Sequence, residues 1–476
     1  MNASVTHRRL NLNVEQILKL ILTLPATSYP ALLDSCHYRH YRLYEGRYLI
    51  AAFNPELCLQ VLAGQIYEFS REGERLTSGN ALIRLDQLLA ERATAGLGNY
   101  QQEMLPCAGG AALGFFSYDL SRNLVRLSGH SHSSHIVPDL FVCFYNTLII
   151  YDYLTQETTL IVYSGKSAQA EARLQTAQSE IERLITRLPN TPLTELPSSQ
   201  RALNYYTNFT REDYLGAVVR IQEHISAGNI YQANFTQQFQ IELNGLSPAA
   251  IFLRLRAHFP VPYMAYLRTP DWAIVSASPE RFLHRIGHTV AAYPIKGTRP
   301  RGRDASEDRR LSEELRTSEK DRAENIMIVD LMRNDLGRVS EIGSIDASEL
   351  LTIQALPTVF HLVSKVSGQL RREIKLSTLL EAAFPCGSIT GAPKLRAMEI
   401  IEEIEGVRRG LSMGALGWLG YDGNLDLNVA IRTLWICKDR GYFNVGGAIV
   451  ADSDPANEYE ESLIKAQALL CALGLS

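Results

Sequence analysis

The chain has 476 residues, of which 46% are hydrophobic and 21% charged, and its formal net charge is -4. This length suffices for one large domain or two to three ordinary ones, with a substantial core. The small negative charge argues against a protein that binds nucleic acid or a membrane surface, because such proteins carry an excess of basic residues. The seven cysteines lie far apart without a C-x-x-C pair, so we expect reduced thiols and neither a disulfide scaffold nor a zinc knuckle.

The first predicted element is an amphipathic helix that follows Asn13. Apolar residues between positions 14 and 22 recur at helical spacing, and Asn13 is the predicted N-cap. Polar residues interrupt this run, so it is not a signal sequence. Since no other apolar run approaches the length of a membrane span, we expect a cytoplasmic protein.

Residues 31–165 are rich in predicted strands. Short apolar runs at 48–52, 140–144 and 148–151 are bounded by turn residues. The segment 109–119 is glycine-rich but lacks the strand-then-helix context of a dinucleotide loop. We interpret it as a close-packed core strand, with a phosphate cradle as the alternative.

A segment rich in proline, serine and threonine at 188–199 follows a predicted helix and is the best candidate for a domain boundary. It suggests an N-terminal domain of residues 1–190 and a C-terminal domain of residues 205–476. Thr210 is predicted to cap the next helix. Strands are predicted at 230–235 and at 273–282, the latter running into a Pro-Glu turn. Many strands and several long helices without steady βαβ alternation predict an α+β fold.

A single lysine, Lys296, stands where a predicted strand (290–295) meets a loop fenced by prolines. A lysine held against apolar walls loses hydration of its charged form. This loss lowers its pKa and makes a neutral, nucleophilic amine available. The alternative is a solvated loop lysine among the neighbouring arginines.

Two predicted helices carry carboxylates at helical spacing. The positions are Asp321 and Glu324 on the helix over 318–335, and Glu458, Glu461 and Lys465 on the helix capped by Asp454. Paired acids on two helices, in a chain without a histidine or cysteine cluster, suit a hard cation such as Mg²⁺. Two solvated acidic faces are the alternative.

Two glycine-containing stretches are candidate anion cradles. One is the strand with Gly446 and Gly447, and the other is the loop 384–394 that opens a helix. Tight β-packing explains paired glycines equally well. His361 and Arg432 are single polar residues within apolar runs, for which core positions are the ordinary interpretation.

These stretches together resemble the chorismate-utilising enzymes. The resemblance is dense over residues 205–470 and looser in the N-terminal half, at 32–35 and 110–119. The motifs that carry it lie at 278–282, 294–302, 321–335, 361–364, 387–394, 431–433 and 446–465. The resemblance implies two β-sheets packed as a sandwich with helices outside, as in anthranilate synthase component I, and a site for Mg²⁺ and chorismate between them.

Two positions sort the branches of this family. Isochorismate and salicylate synthases place a lysine base where this chain has Gln232, and anthranilate synthases have alanine where it has Lys296. The combination present here resembles the branch that forms 4-amino-4-deoxychorismate for para-aminobenzoate and folate synthesis. Ser412 stands where anthranilate synthases tend to carry tyrosine, and Ala448 where the family usually has glycine. The anthranilate-forming branch is the alternative.

The resemblance also implies roles for individual residues. Lys296 is the nucleophile toward C2 of chorismate and Glu280 the general acid toward the C4 hydroxyl. Mg²⁺ is bound by Glu324 and Glu461, with Asp321 and Glu458 as close or water-bridged partners. The residues expected to hold the substrate are Gly297, Thr298, His361, Ser388, Arg432, Gly446, Gly447 and Lys465.

The sequence contains nothing that resembles a glutaminase. Ammonia is therefore expected from solution or, as the family implies, from a separate glutamine amidotransferase subunit. A catalytically silent scaffold for such a subunit is the alternative from another class, and the retention of Lys296 and Glu280 argues against it.

The segment 32–35 resembles the tryptophan pocket of anthranilate synthases. The residues that we expect to line a structural or regulatory pocket of this kind are Ser35, Arg47, Tyr48, Pro262 and Tyr263.

Overall fold

The computed structural model describes residues 4–36, 46–94, 105–125, 127, 137–165, 169–189, 193, 203–356 and 359–475. Most of the expected domain boundary at 188–199 lies outside these residues. Within them, none of the helices combines the length and apolar character that crossing a bilayer requires.

The strands, in chain order, are β1 Ser4–Leu10, β2 Ala31–Asp34, β3 Tyr48–Ala52, β4 Leu57–Leu62, β5 Gln65–Ser70, β6 Gly73–Thr77, β7 Ala111–Phe116, β8 Leu140–Tyr145, β9 Thr147–Asp152, β10 Glu157–Gly165, β11 Tyr205–Thr207, β12 Gln232–Glu242, β13 Tyr263–Arg268, β14 Trp272–Ser278, β15 Arg281–Ile286, β16 Thr289–Ala292, β17 Ile295–Pro300, β18 Thr352–Ala355, β19 Val359–Val363, β20 Val366–Gln369, β21 Gly391–Ala392, β22 Ala415–Gly420, β23 Leu425–Val429, β24 Thr433–Cys437 and β25 Arg440–Ile449. The helices are α1 Val14–Thr23, α2 Ala81–Glu91, α3 Ser121–Leu124, α4 Ala170–Thr186, α5 Arg211–Ser226, α6 Pro248–His258, α7 Ala305–Thr317, α8 Glu319–Gly337, α9 Leu376–Ala383, α10 Lys394–Glu405 and α11 Pro455–Leu473.

Two large antiparallel sheets form the body of the protein, and each takes strands from both halves of the chain. The first has the order β1-β10-β9-β3-β2-β13-β14-β24-β25-β12-β11, with β21 beside β12. The second has the order β20-β16-β15-β23-β22-β7-β8-β4-β5-β6, and a small third sheet has the order β17-β19-β18. The halves join inside both sheets, at the β2–β13 and β22–β7 pairs.

The two large sheets pack face to face through a buried aromatic cluster. Phe115 and Phe141 of the second sheet meet Trp272 of the first, with ring centroids 5.5 and 4.7 Å apart. Trp272 in turn stacks on Trp435 at 4.9 Å. With helices outside, this arrangement confirms the predicted α+β sandwich.

Local signals predicted the helix ends well, because each end is decided by a few adjacent groups. Asn13 and Gln16 form a capping box at α1. The side chains of the predicted caps Thr210 and Asp454 accept hydrogen bonds from the first turns of α5 and α11. Ser318, for which no cap was predicted, does the same at α8. The glycine-rich segment 109–119 contains the expected core strand, β7, all of whose residues are buried. Its packing is close, since a Cβ on Gly114 would lie only 2.0 Å from the Phe141 carbonyl oxygen of β8.

Two expectations were wrong. The stretch after Ile295 is not a loop but strand β17, which pairs with β19 across a bulge between Ile295 and Thr298. The bulge interrupts the alternation of a strand, so the sequence had the pattern of a loop. The cysteines are not all reduced, since Cys58 and Cys143 are directly opposite in β4 and β8 and form a disulfide.

Candidate active site

Lys296, Glu280 and Ser388 lie on three different segments that meet at one place. Lys296 lies on the bulge of β17, Glu280 where the chain passes from β14 in the first sheet to β15 in the second, and Ser388 in the 3₁₀ turn Gly387–Ile389. The Lys296 Nζ donates to the Ser388 carbonyl oxygen at 3.1 Å. Glu280 Oε1 accepts from the amide of Ile295 at 3.4 Å. The predicted nucleophile and the predicted acid therefore flank one turn.

Burial dominates the protonation of both groups. It lowers the pKa of the Lys296 amine, although the carboxylates of Glu324 and Glu280 oppose this effect. Burial also raises the pKa of Glu280 to about 7, against a hydrogen bond from Ser388 and the charge of Lys296. Burial thus favours the uncharged form of both groups, the amine of Lys296 and the protonated carboxyl group of Glu280.

His361 stands beside this pair in its neutral form. Burial is the main cause that lowers its pKa to about 3. Its Nδ1 is hydrogen-bonded to the Thr298 hydroxyl at 2.9 Å, while Nε2 is buried and has no hydrogen-bond partner among the described residues. The backbone of Gly297 has φ +85°, and a Cβ there would lie 3.0 Å from Asp321. Position 297 therefore requires glycine.

The predicted acidic residues meet between α8 and α11. Burial raises the pKa of Glu324, and the charges of Asp321 and Glu458 add to this effect. Burial likewise raises the pKa of Glu458, whose Oε1 accepts from the Ser453 hydroxyl at 2.7 Å. Like charges are therefore held in a partly dry space, which is costly without a cation.

Two of the acids already have basic partners. Asp321 Oδ2 accepts from Arg299 at 3.0 Å, and Glu461 Oε1 lies 2.7 Å from the Lys465 Nζ, which lowers the pKa of Glu461. In the described ranges no three acidic, histidine or cysteine side chains are grouped closely enough to hold a metal ion. The acids face one site without forming a closed cage of protein ligands.

Arg432 lies at the other end of the site, where the first sheet opens. β24 and β25 pair only from Trp435–Tyr442 to Cys437–Arg440, and continuing this register would place Arg432 opposite Val445. Instead the two strands diverge. The Arg432 backbone has φ +49°, and its guanidinium, whose pKa burial lowers, makes no hydrogen bond or ion pair with the described part of the chain.

The open edge of β25 carries the two predicted glycines. Thr236 pairs with Gly446, but the Thr236 amide donates to Glu405, and the Gly446 carbonyl accepts from Lys465 at 2.9 Å. This is therefore a non-hydrogen-bonded pair, and the next pair, Phe235–Gly447, exchanges the ladder bonds. The N–H of Gly446 faces the opening, whereas that of Gly447 belongs to the sheet.

The glycines also bring the strand close to α11. A Cβ on Gly447 would lie 3.2 Å from Glu458 Oε2, 3.5 Å from Lys465 Nζ and 3.6 Å from Glu461 Oε1. Nearby, the hydroxyl of Ser412 accepts from the amide of Asn444 at 3.1 Å and supports the same edge. Nothing in the structure explains the alanine at position 448.

The five residues expected around a tryptophan pocket line one cavity of about 430 Å³. The cavity does not include the predicted catalytic or acidic residues. It does reach Arg281 and Tyr293, which lie close in sequence to Glu280 and Lys296.

Sequence reasoning missed the buried ions behind the Ser388 turn. Arg409 and Glu405 form an ion pair in which both side chains are 1% exposed. Lys394 is paired with Asp335 at 2.5 Å. The available signal was the four-residue spacing of Glu405 and Arg409 at a helix end.

Comparisons with known proteins agree with this geometry. Residues 43–471 match the family described as chorismate binding enzyme. Aminodeoxychorismate synthase component 1 of Bacillus subtilis is 39% identical over 368 residues, which cover 77% of each chain. The Escherichia coli protein of the same name is 37% identical over 425 residues, or 89% of each chain. The crystal structure of anthranilate synthase component I from Streptococcus pneumoniae superposes with a TM-score of 0.75 at 27% identity, covering 91% of this chain and 94% of that one. The chain therefore belongs to the chorismate binding enzyme family.

Proposed function

We propose that the protein converts chorismate and ammonia to 4-amino-4-deoxychorismate in a Mg²⁺-dependent reaction, through a covalent adduct on Lys296. The observation that carries the proposal is that the half-buried amine of Lys296, whose pKa burial lowers, and the buried carboxyl group of Glu280, with a pKa of about 7, are both hydrogen-bonded to Ser388. The printed names of the relatives from Bacillus subtilis and Escherichia coli support it.

Arg432 holds the carboxylate of the enolpyruvyl side chain in this proposal. Its guanidinium makes no ion pair with the described residues, and a fork of N–H donors matches a carboxylate. The N–H of Gly446 faces the same opening, and Lys465 adds positive charge nearby. Of the two glycine amides, we assign this role to Gly446. Gly447 contributes by leaving room, and Thr298 and His361 line the ring.

The carboxylates of α8 and α11 fit Mg²⁺, because burial and mutual repulsion leave Glu324 and Glu458 in need of a cation. Glu461 and Asp321 would join them directly or through water, each after releasing a basic partner. Mg²⁺ commonly takes only one or two protein carboxylates and completes its shell with water and substrate oxygens. When bound, it would neutralise the ring carboxylate of chorismate and make the ring a better electrophile.

In the first covalent step the neutral amine of Lys296 forms a bond to C2. The ring double bonds shift, and the C4–O bond breaks with its electron pair remaining on oxygen. Glu280, in its protonated form, donates a proton to the leaving hydroxyl, which departs as water. The Ser388 carbonyl, as acceptor from Nζ, orients the lysine lone pair.

In the second step ammonia forms a bond to C4, the double bonds shift back, and the C2–N bond to Lys296 breaks. The Glu280 carboxylate takes a proton from the new ammonium group, which restores the acid for another cycle. The adduct nitrogen keeps both of its protons as a secondary ammonium, so the lysine leaves with the electron pair of the broken bond as a neutral amine and needs no further proton. The net change is chorismate plus ammonia to 4-amino-4-deoxychorismate plus water, with the enolpyruvyl group retained.

Ammonia would come from a glutamine amidotransferase subunit in the cytoplasm, since the sequence contains no glutaminase-like stretch. The name "component 1" of the relatives supports a partner component. We also propose that the cavity around Ser35 and Arg47 binds tryptophan.

Anthranilate synthesis is the second candidate, favoured by the similarity to the Streptococcus pneumoniae structure. The deciding experiment incubates the purified protein with chorismate, Mg²⁺ and ammonium, and identifies the product by mass spectrometry and fluorescence. We expect a non-fluorescent amino product that retains the enolpyruvyl group. Fluorescent anthranilate with released pyruvate would assign the other activity, and no Mg²⁺-dependent consumption of chorismate would favour a scaffold.

A further inference from the structure

Arg409 holds the Ser388 turn from behind, in a position where it contacts none of the groups assigned to the substrate. Its Nη1 donates to the carbonyl of Ile389 at 2.9 Å, and its Nη2 donates to the carbonyl of Asn234 at 2.5 Å. Glu405 accepts from the same guanidinium and also from the amide of Thr236 at 2.7 Å. One arginine thus ties the turn to strand β12, which pairs with the glycine edge of β25.

Lys394 holds the other end of the turn. Its Nζ donates to the carbonyls of Pro385 at 2.9 Å and Ala383 at 3.1 Å, and to Asp335 at 2.5 Å. The segment between Ala383 and Ile389 is therefore bracketed by two cations. Each cation has its own carboxylate partner, Glu405 for Arg409 and Asp335 for Lys394.

Stability alone does not account for such pairs. Replacing a buried ion pair by apolar residues of similar volume is often neutral or stabilising, because desolvation of the charges offsets their attraction. What an arginine supplies is direction, since its planar fork fixes the positions of several acceptors at once. Here the acceptors that Arg409 holds in place are the backbone carbonyls of Ile389, in the Ser388 turn, and of Asn234, on strand β12.

We propose that Arg409 and Lys394 are positioning residues that keep Ser388 aligned with Lys296 and Glu280. This inference rests on the proposed function, in which the Ser388 carbonyl orients the attacking amine. A displacement of about 1 Å at a reacting group can cost about 100-fold in rate. Substrate binding should change little, because Arg432 and Lys465 are on other elements.

The test compares R409K with R84K. Lysine keeps the charge at position 409 but has a single nitrogen, so it cannot replace the Nε, Nη1 and Nη2 atoms that separately reach Glu405, Ile389 and Asn234. Arg84 is also an ion-paired arginine, 2.6 Å from Glu68 on strand β5, and serves as the control for an arginine-to-lysine change remote from the Ser388 turn. With ammonia and chorismate we expect kcat of R409K to fall about 100-fold with KM for chorismate within about two-fold of wild type. R84K should resemble wild type. Unchanged kcat in R409K, or a fall matched by an equal rise in KM, would overturn the proposal.

A second measurement does not depend on turnover. Hydrogen exchange of the peptide over residues 384–393 should be at least about tenfold faster in R409K and unchanged in R84K, because the amides of Ile389 and Thr390 are bonded within the turn. If R409K does not fold, the charge-neutral doubles R409M/E405Q and K394M/D335N replace it, with the same expectations. If residues 384–393 exchange at the wild-type rate in R409K or in these double variants, the proposal that Arg409 and Lys394 hold the Ser388 turn in place is refuted. If the wild-type enzyme makes no 4-amino-4-deoxychorismate, the proposed function is refuted. The hydrogen-exchange comparison still decides whether Arg409 holds the turn, because it does not require turnover.

Discussion

Burial acts in opposite directions on the two titrating side chains that meet at Ser388. It raises the pKa of Glu280 to about 7 and lowers that of Lys296, so that the uncharged form of each group is favoured relative to the same group in water. In water the two groups would exist as a carboxylate and an ammonium ion. The site therefore obtains its proposed acid and nucleophile from desolvation, with a single turn as the common hydrogen-bonding partner.

Replacing Glu280 with glutamine should stabilise the protein at alkaline pH. The folded pKa of about 7 lies above the ordinary value of 4.5, so the folded state holds the proton more tightly than the unfolded state. The stability contributed by this group is full below pH 4.5 and is lost as pH rises through 7. We expect Glu280→Gln to exceed wild type by about 1 kcal/mol at pH 5 and about 3 kcal/mol at pH 8, measured by urea unfolding.

The same variant should lose activity about 10²- to 10⁴-fold, because glutamine cannot donate the proton. A constant stability difference across this pH range would show that Glu280 is not the titrating group. Turnover near that of wild type would remove it from the mechanism.

Replacing Lys296 with alanine should abolish the covalent adduct. Chorismate and Mg²⁺ without ammonia should increase the intact mass of the wild-type protein by that of chorismate less one water, and Lys296→Ala should show no increase. Lys365, which is paired with Glu349 at 2.8 Å, offers a matched control in Lys365→Ala. A mass gain that persists without Lys296 would place the adduct elsewhere. Its absence in wild type would leave direct addition of ammonia as the route.

At the scale of elements, the site occupies places where regular structure is interrupted. β17 has a bulge at Lys296, β14 ends before Glu280, and β24 and β25 diverge beside Arg432. A bulge redirects a side chain, and a diverging pair of strands leaves backbone amides without a sheet partner. The three predicted site residues therefore lie where the chain departs from regular sheet structure.

The adjacent glycines of β25 should respond differently to alanine. A Cβ on Gly446 would lie 1.8 Å from the Phe235 carbonyl oxygen, so Gly446→Ala should break the β12–β25 ladder and cost about 3 kcal/mol or more. At Gly447 the nearest atom is Glu458 Oε2 at 3.2 Å, the end of a side chain. Gly447→Ala should therefore fold but raise KM for chorismate about tenfold or more.

Thermal melting and steady-state kinetics of the two variants check this contrast. Equal melting temperatures would contradict the register of the ladder, and an unchanged KM in Gly447→Ala would contradict a ligand at this edge.

At the scale of the whole molecule, the two halves of the chain share both sheets. The β2–β13 and β22–β7 pairs lie inside the sheets, so separation would expose two unpaired strand edges on each half and the aromatic layer around Trp272. The segments 1–190 and 205–476 should therefore fold poorly when produced alone.

Co-production of the two segments should restore a soluble complex with ammonia-dependent activity, because a break near residue 195 cuts no strand or helix of the described structure. Size-exclusion chromatography and activity assays check this expectation. A soluble, cooperatively unfolding 205–476 segment would show that the C-terminal half is an independent domain.

The amino-acid sequence by itself determined the features that depend on neighbouring residues. The caps at Asn13, Thr210 and Asp454, the core strand around Gly114 and the spacing of the acids on α8 and α11 all follow from interactions within about one helical turn or one strand. These local signals were sufficient to predict the α+β class, whereas the roles of the individual site residues came from the resemblance to the chorismate-utilising enzymes.

Only the tertiary structure decided how distant segments meet. The bulge in β17, the disulfide between Cys58 and Cys143, the facing amide of Gly446 and the placement of Arg409 behind Ser388 each depend on pairing between residues far apart in sequence. Strand register is set by the burial of whole faces, and one shifted residue would reverse every side chain. For this reason a local pattern could name Lys296, whereas only the folded chain could show what lies beside its amine.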